Sequence, residues 1–358
     1  MARFHTLKVA EVTRETADCV SVVFDVPANA REEFKYIQGQ YLTLKLKVNG
    51  EEIRRSYSLC SSPVADRELR VAVKKVKDGR ASTFINDSLK VGDEMEVMTP
   101  MGNFHSPLSP ANRKNYILFA GGSGITPMLS IIKTVLQSEP ESKITLFYGN
   151  RDEAAIIFKK QLDALAAANA ERLKVHHILE HCGEDVDELC RGILMPDKVK
   201  SLIAKHVDLN ADNVFFICGP GPMMENVKVV LNDLKVDPKK VYIEYFAAVE
   251  TAVKAAEENS PSAVVQSKVT VILDDEEVVF DLASNGKSVL DVAMDAGMDV
   301  PFACKGGVCC TCRAKLMEGK VKMDQNFALS EEELERGYIL TCQSHPVTEK
   351  VVISFDEP

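Results

Sequence analysis

The 358-residue chain reads as a multidomain protein of three parts. These are an antiparallel β-barrel, an α/β domain with a parallel sheet, and a small α+β domain around a cysteine cluster. Three observations predict this. The first hundred or so residues alternate polar and apolar side chains with period two. From Tyr116 onward, apolar strands alternate with helical stretches. Four cysteines then crowd into the nine residues from 304 to 312.

In the first part, LKVAEV (7–12), YLTLKLKV (41–48) and ELRVAVKKV (68–76) alternate as half-buried strands do. VNGEEI (48–53) carries an Asn-Gly hairpin signal. Short strands at this spacing predict a barrel over residues 1–108. In the second part, YILFAG (116–121) runs into GGSGITP (121–127) and then the helical MLSIIKTVLQ. KITLFYG (143–149), a helical stretch over 154–169, KVHHIL (174–179), NVFFICG (213–219), a helix and VYIEYF (241–246) follow. That order predicts a parallel sheet over 109–249. Residues 250–266 are rich in Ala, Glu and Ser and read as a linker. In the third part, 267–358, KVTVIL and EEVVFDL pair as a hairpin. SVLDVAMDA follows as a helix, with Ser288 as N-cap and Gly297 past its end. Ser330 and Glu333 form a capping box.

Composition excludes several classes. Hydrophobic residues make up 46% and charged residues 27%, which rules out a disordered or low-complexity chain. No run reaches the ~18 apolar residues of a membrane-spanning helix. The opening MARFHTLKVAEVTRET lacks the apolar stretch of a secretory signal, so a cytoplasmic protein is expected. The net charge of −10 argues against nucleic acid or an anionic membrane as partner. Residues 266–358 hold 17 Asp/Glu against 9 Lys/Arg, which marks them as a separate acidic module.

Cys304-x4-Cys309-x2-Cys312, with Cys342 after 29 more residues, is the spacing that holds a plant-type [2Fe–2S] cluster. A tight loop supplies three thiolates and a distant residue closes the cage. Structural zinc is the alternative, but zinc ribbons usually show two C-x2-C pairs, and only one is present. The spacing leaves Cys310 outside the cage, although its neighbour Cys309 keeps that assignment open. Cys342-Gln-Ser-His345 looks like half of a Rieske signature, yet no C-x-H pair accompanies it, so His345 is not expected to be a ligand.

GGSGITP lies between a strand and a helix, where backbone amides can approach a pyrophosphate at the positive helix end. A structural glycine turn is the alternative. The next strand ends at Asn150-Arg151, where an acid would suit NADH; arginine suits a 2′-phosphate and favours NADPH, with a solvated turn arginine as the alternative. Arg55-Ser56-Tyr57-Ser58 ends a barrel strand and offers a phosphate fork, an aromatic face and a hydroxyl.

Arg55-x-Tyr57-Ser58, Gly122-x-Gly124-x-x-Pro127, Cys218-Gly219-Pro220 and Glu244-x-Phe246 occur in the order seen in the ferredoxin–NADP(+) reductase superfamily. Residues 5–246 resemble that family. DVPFACKGGVCCTCRAKLMEGKV with YILTCQSHP resembles a plant-type ferredoxin, which implies a β-grasp-like fold for the last domain and Cys304, Cys309, Cys312 and Cys342 as its ligands. The reductase resemblance implies FAD in the barrel, held by Arg55, Ser56, Tyr57 and Ser58. Val73, Lys74 and the loop from Gly79 through Ala81, Ser82 and Thr83 would hold its ribityl and pyrophosphate parts. Thr126 and Phe246 would face the flavin. Gly122, Gly124, Pro127, Asn150, Arg151, Gly219, Pro220 and Met223 would line the nucleotide site. Ser58, Cys218 and Glu244 would sit at the reacting atoms.

The reductase-then-ferredoxin order resembles electron-transfer subunits of multicomponent oxygenases. It implies a route from NADPH (or NADH) through FAD and [2Fe–2S] to a partner oxygenase. A ring-epoxidising partner is the one most resembled; another oxygenase, hydroxylase or desaturase is the alternative. Asp274–Glu277 and Glu331–Glu335 are candidate docking patches for a basic partner, or ordinary solvated surface. Tyr41, in GQY (39–41), reads as a barrel-wall tyrosine, with packing near the flavin as the alternative.

Overall fold

The computed structural model describes residues 3–247 and 264–357. The expected linker lies outside these residues as far as 263, and its last residue, Gln266, already opens a strand.

The first domain holds β1 (Phe4–Thr16), β2 (Cys19–Asp25), β3 (Tyr41–Val48), β4 (Glu51–Ser58), β5 (Leu69–Lys74), α1 (Arg80–Asp87) and β6 (Glu94–Met98). Its sheet runs β4-β3-β6-β1-β2-β5 and curls until Leu59 bridges Val71, which closes the barrel. Asn49 and Gly50 both take positive φ, the geometry of a two-residue hairpin turn, so β3 and β4 pair from Tyr41–Ser58 to Val48–Glu51. The stretch expected as a loop at Gly79–Thr83 is instead the N-cap and first turn of α1.

The second domain holds β7 (Asn115–Gly121), α2 (Ile125–Ser138), β8 (Lys143–Asn150), α3 (Lys159–Ala168), β9 (Leu173–Leu179), α4 (Pro196–His206), β10 (Asn213–Cys218), α5 (Gly221–Asp233) and β11 (Val241–Glu244). All neighbours in the order β11-β10-β7-β8-β9 are parallel. The strand order reverses between β7 and β10, and the turns leaving both meet at one edge, where such sheets bind ligands. The helix expected over 154–169 begins at Lys159, because Asp152 caps a short 3-10 turn and Phe158 adopts φ 61°. The strand expected over 241–246 stops at Glu244; Tyr245 is buried and Phe246 is exposed. A Lys133–Asp66 ion pair (2.5 Å) and a Ser62–Thr134 hydrogen bond (2.9 Å) tie α2 to the barrel.

The third domain holds β12 (Gln266–Leu273), β13 (Glu276–Ala283), α6 (Val289–Asp295), β14 (Arg313–Glu318), β15 (Val321–Met323), α7 (Glu331–Glu335), β16 (Tyr338–Leu340), β17 (Ser344–Pro346) and β18 (Lys350–Ser354). The main sheet runs β13-β12-β18-β14-β16, with β12 and β18 parallel. Ser288 accepts from the Asp291 amide, and the Ser330–Glu333 capping box forms in full. Among the described residues, no helix is long and apolar enough to cross a membrane.

Candidate functional site

β4 carries Arg55, Ser56, Tyr57 and Ser58 into the wall of a cavity of about 660 Å³. Lys74, Gly79, Ala81 and Ser82 form another wall, and Thr126 and Phe246 also line it. Cations, an aromatic face, hydroxyls and the first turn of a helix suit a flat ring bearing a pyrophosphate. Two expected residues fall elsewhere. Val73 alternates inward and is wholly buried in the barrel core, and Thr83 lies beyond the cavity-lining turn of α1. The same cavity is lined by Phe302, Ala303, Cys304 and Lys305 from the third domain.

A second cavity, of about 380 Å³, opens where β7, β8 and β10 end. Gly122, Asn150, Arg151, Pro220 and Met223 line it, and Lys74 reaches both cavities. The Asn150 amide is buried with neither polar atom hydrogen-bonded, which suits a polar ligand there. Arg151 is exposed and paired with Asp152 at 2.9 Å, so an acid also stands beside the arginine.

Gly124, Pro127, Cys218 and Gly219 do not line that cavity. A Cβ on Gly124 would stand 2.0 Å from the Cys218 carbonyl oxygen, and one on Gly219 would stand 2.9 Å from the Gly121 nitrogen. These glycines let the two strand-end turns touch, while Pro127 and Cys218 are buried behind them. Burial holds the Cys218 thiol neutral, far above its ordinary range.

Cys218 pairs in register with Glu244 across β10 and β11, and Ser58 donates to the Glu244 carboxyl at 2.9 Å. The three residues expected at the reacting atoms therefore stand together. Burial pushes the Glu244 carboxyl up to about 8, against the pull of the Ser58 hydrogen bond. Glu244 therefore keeps its proton at neutral pH and gains a charge only as pH rises through about 8. A carboxylate there would oppose the negative charge of a hydride arriving beside it, the role the resemblance implies for this residue. Flavin reduction by NADPH is expected to slow as pH rises past about 8, and Glu244→Gln is expected to flatten that limb. Coincident pH profiles in stopped-flow measurements would remove Glu244 from this role.

The cysteine loop folds against the barrel. No three metal-binding side chains among the described residues converge on a single ion. The sulfurs fall instead into two pairs, Cys304 with Cys309 at 3.2 Å and Cys312 with Cys342. Two pairs suit two irons, whereas zinc needs four ligands round one point. The Cys309 thiol and the Gly306, Val308 and Cys309 amides favour the Cys304 thiolate, the form that binds iron. Cys310 turns away, with its sulfur 3.3 Å from the Tyr41 hydroxyl. His345 faces Asp324 at 3.1 Å.

Tyr41 is thus more than a barrel-wall residue, since its hydroxyl reaches the cysteine loop. Arg54 gave no sequence signal, yet its buried guanidinium crosses to Asp299 at 2.9 Å. Glu333 is not part of an outward patch: it binds Asn103 of the barrel at 2.7 Å and Arg313 at 2.6 Å. Asp274–Glu277 remain exposed.

Comparison with known proteins agrees with this arrangement. The oxidoreductase FAD-binding domain family matches residues 6–106, the oxidoreductase NAD-binding domain family 118–229, and the 2Fe-2S iron-sulfur cluster binding domain family 271–347. The chain is 41% identical to one of the subunits of 1,2-phenylacetyl-CoA epoxidase from Escherichia coli K12, over 99% of both chains. It is 37% identical to the ferredoxin reductase component of 3-ketosteroid-9-alpha-monooxygenase from Rhodococcus rhodochrous, over 98% of this chain and 96% of that one. Phthalate dioxygenase reductase shares the fold with a TM-score of 0.59 at 24% identity, over 98% of both chains. The chain belongs to the electron-transfer reductases of oxygenase systems, with FAD-, NAD- and [2Fe–2S]-binding domains.

Proposed function

We infer that this reductase draws electrons from NADPH and delivers them to an oxygenase that epoxidises the ring of phenylacetyl-coenzyme A. One observation carries the electron route. Arg55–Ser58 and Phe302–Lys305 line a single cavity, so the flavin site and Cys304 adjoin. Bound FAD would supply the conversion of a two-electron hydride into single electrons, which a [2Fe–2S] centre carries one at a time. The chain's own residues hold and orient. Arg55 and the α1 N-terminus would hold its pyrophosphate, Tyr57 would pack on its ring, and Ser58, bonded to neutral Glu244, would stand at its reacting edge. Domains of 1–108, 109–249 and 267–358 fit this division of labour.

Full-length identity of 41% supports the epoxidase as partner, and the 37% identity to the ketosteroid enzyme favours a second reading, a different oxygenase. Reconstitution decides between them. With the other epoxidase components, phenylacetyl-coenzyme A and NADPH, ring epoxide is expected. Electron delivery to a ketosteroid oxygenase alone would overturn the first reading. None of the ten cysteines is in a disulfide, which suits the reducing cytoplasm as its compartment.

The preference for NADPH rests on Arg151. Arg151→Ala is expected to raise KM for NADPH about tenfold, the loss of one charge-assisted contact, and leave KM for NADH unchanged. Equal effects on both nucleotides would make Arg151 a solvated turn residue.

A further inference from the structure

We propose that Tyr41 and the Arg54–Asp299 pair form a two-point clamp that seats the cysteine loop on the flavin barrel and sets the rate of flavin-to-cluster transfer. The proposal rests on the electron route given above.

The loop from Cys304 to Cys312 is held just before its start and near its end. On the leading side, Arg54 of β4 donates to Asp299 at 2.9 Å and to the Val300 carbonyl at 3.4 Å. Its guanidinium lies 4.3 Å from the centre of the Phe302 ring, two residues before Cys304. Near the end of the loop, the Tyr41 hydroxyl accepts from the Cys310 amide at 3.1 Å and lies 3.2 Å from the Thr311 hydroxyl. Cys310 and Thr311 separate Cys309 from Cys312. Both grips come from paired strands, in which Tyr41 is opposite Ser58 and Arg54 opposite Lys45.

The grips are built to hold position. Tyr41 is 6% exposed and Arg54 is likewise 6% exposed. Backbone bonds with Met101 in both directions, at 2.8 and 3.0 Å, fix Tyr41. Glu52 holds the other side of the Arg54 guanidinium at 2.8 Å. A buried hydroxyl that satisfies a loop amide cannot be removed without leaving that amide unpaired. Ser58, opposite Tyr41, donates to Glu244 and lines the flavin cavity, so the strand pair that grips the loop also builds that cavity's wall. Arg54 also lines the flavin cavity, whereas Tyr41 and Asp299 line neither the flavin nor the nucleotide cavity, so changes at those two residues loosen the seat without altering a binding wall.

The test uses Tyr41→Phe, Asp299→Ala and the double variant in the full-length, cofactor-loaded protein. In stopped flow with NADPH, flavin bleaching is expected at the wild-type rate. Each single change is expected to slow electron arrival at the cluster about tenfold, as a lost hydrogen bond at the seat shifts the seated population. The double variant is expected to be slower than either. Small-angle scattering without nucleotide is expected to show a larger radius of gyration for the variants. Asp299→Ala alters an exposed side chain, so it remains informative if Tyr41→Phe folds poorly. Unchanged transfer rates and radii would overturn the clamp. A wild-type protein whose flavin bleaches while its cluster never reduces would instead overturn the electron route.

Discussion

Cys304→Ser is expected to leave flavin reduction by NADPH intact and to abolish one-electron reduction of cytochrome c, by more than about 100-fold. The cause is local. The Cys304 sulfur pairs with that of Cys309 at 3.2 Å and receives the Gly306 amide at 3.3 Å, which favours the thiolate. A serine oxygen is a hard donor in a place that needs a soft one. Hydride arrival depends on residues of the first two domains, so the flavin should still bleach. Cys310→Ser is the matched control. Its sulfur faces Tyr41 rather than the other thiols, and the cluster's absorbance is expected to survive. Full cytochrome c reduction by Cys304→Ser would mean that electrons leave the flavin directly.

Gly124→Ala is expected to destabilise the nucleotide domain by about 3 kcal/mol, at the upper end of overpacking costs. The new methyl would stand 2.0 Å from the Cys218 carbonyl oxygen and 2.4 Å from its carbon, both backbone atoms that cannot swing aside. Gly122 offers the contrast two residues earlier. A Cβ there meets only the Lys74 ammonium at 3.7 Å, but φ is 52°. Gly122→Ala is expected to cost about 1 kcal/mol from the left-handed backbone and to raise KM for the nucleotide. Thermal melts and nucleotide titrations separate the two. Equal melting temperatures for Gly124→Ala and wild type would contradict the packing role.

Those glycines mark the boundary of what the sequence reveals. Their spacing after an apolar strand announces a strand–turn–helix unit. Spacing alone does not say which glycine faces a ligand and which faces the neighbouring strand, because that depends on β10 lying beside β7. The cysteine spacing was legible because the chemistry fixes it within one loop. The β3–β4 hairpin was legible because Asn49 and Gly50 dictate the turn. Helix α4 has Pro196 in its first turn and Lys205 and His206 in its last, but the irregular stretch before it masks these signals. Tyr41, Arg54 and Glu333 were not legible as contacts. Their partners are 269, 245 and 230 residues away, and no local pattern encodes how one domain seats on another.

Anaerobic titration with NADPH and then NADH, followed by visible absorbance and by electron paramagnetic resonance, tests the central claim most directly. The electron route predicts bleaching of a flavin, then a rhombic signal from a reduced [2Fe–2S] centre. Zinc in place of iron, or a flavin that bleaches with no cluster signal, would contradict it.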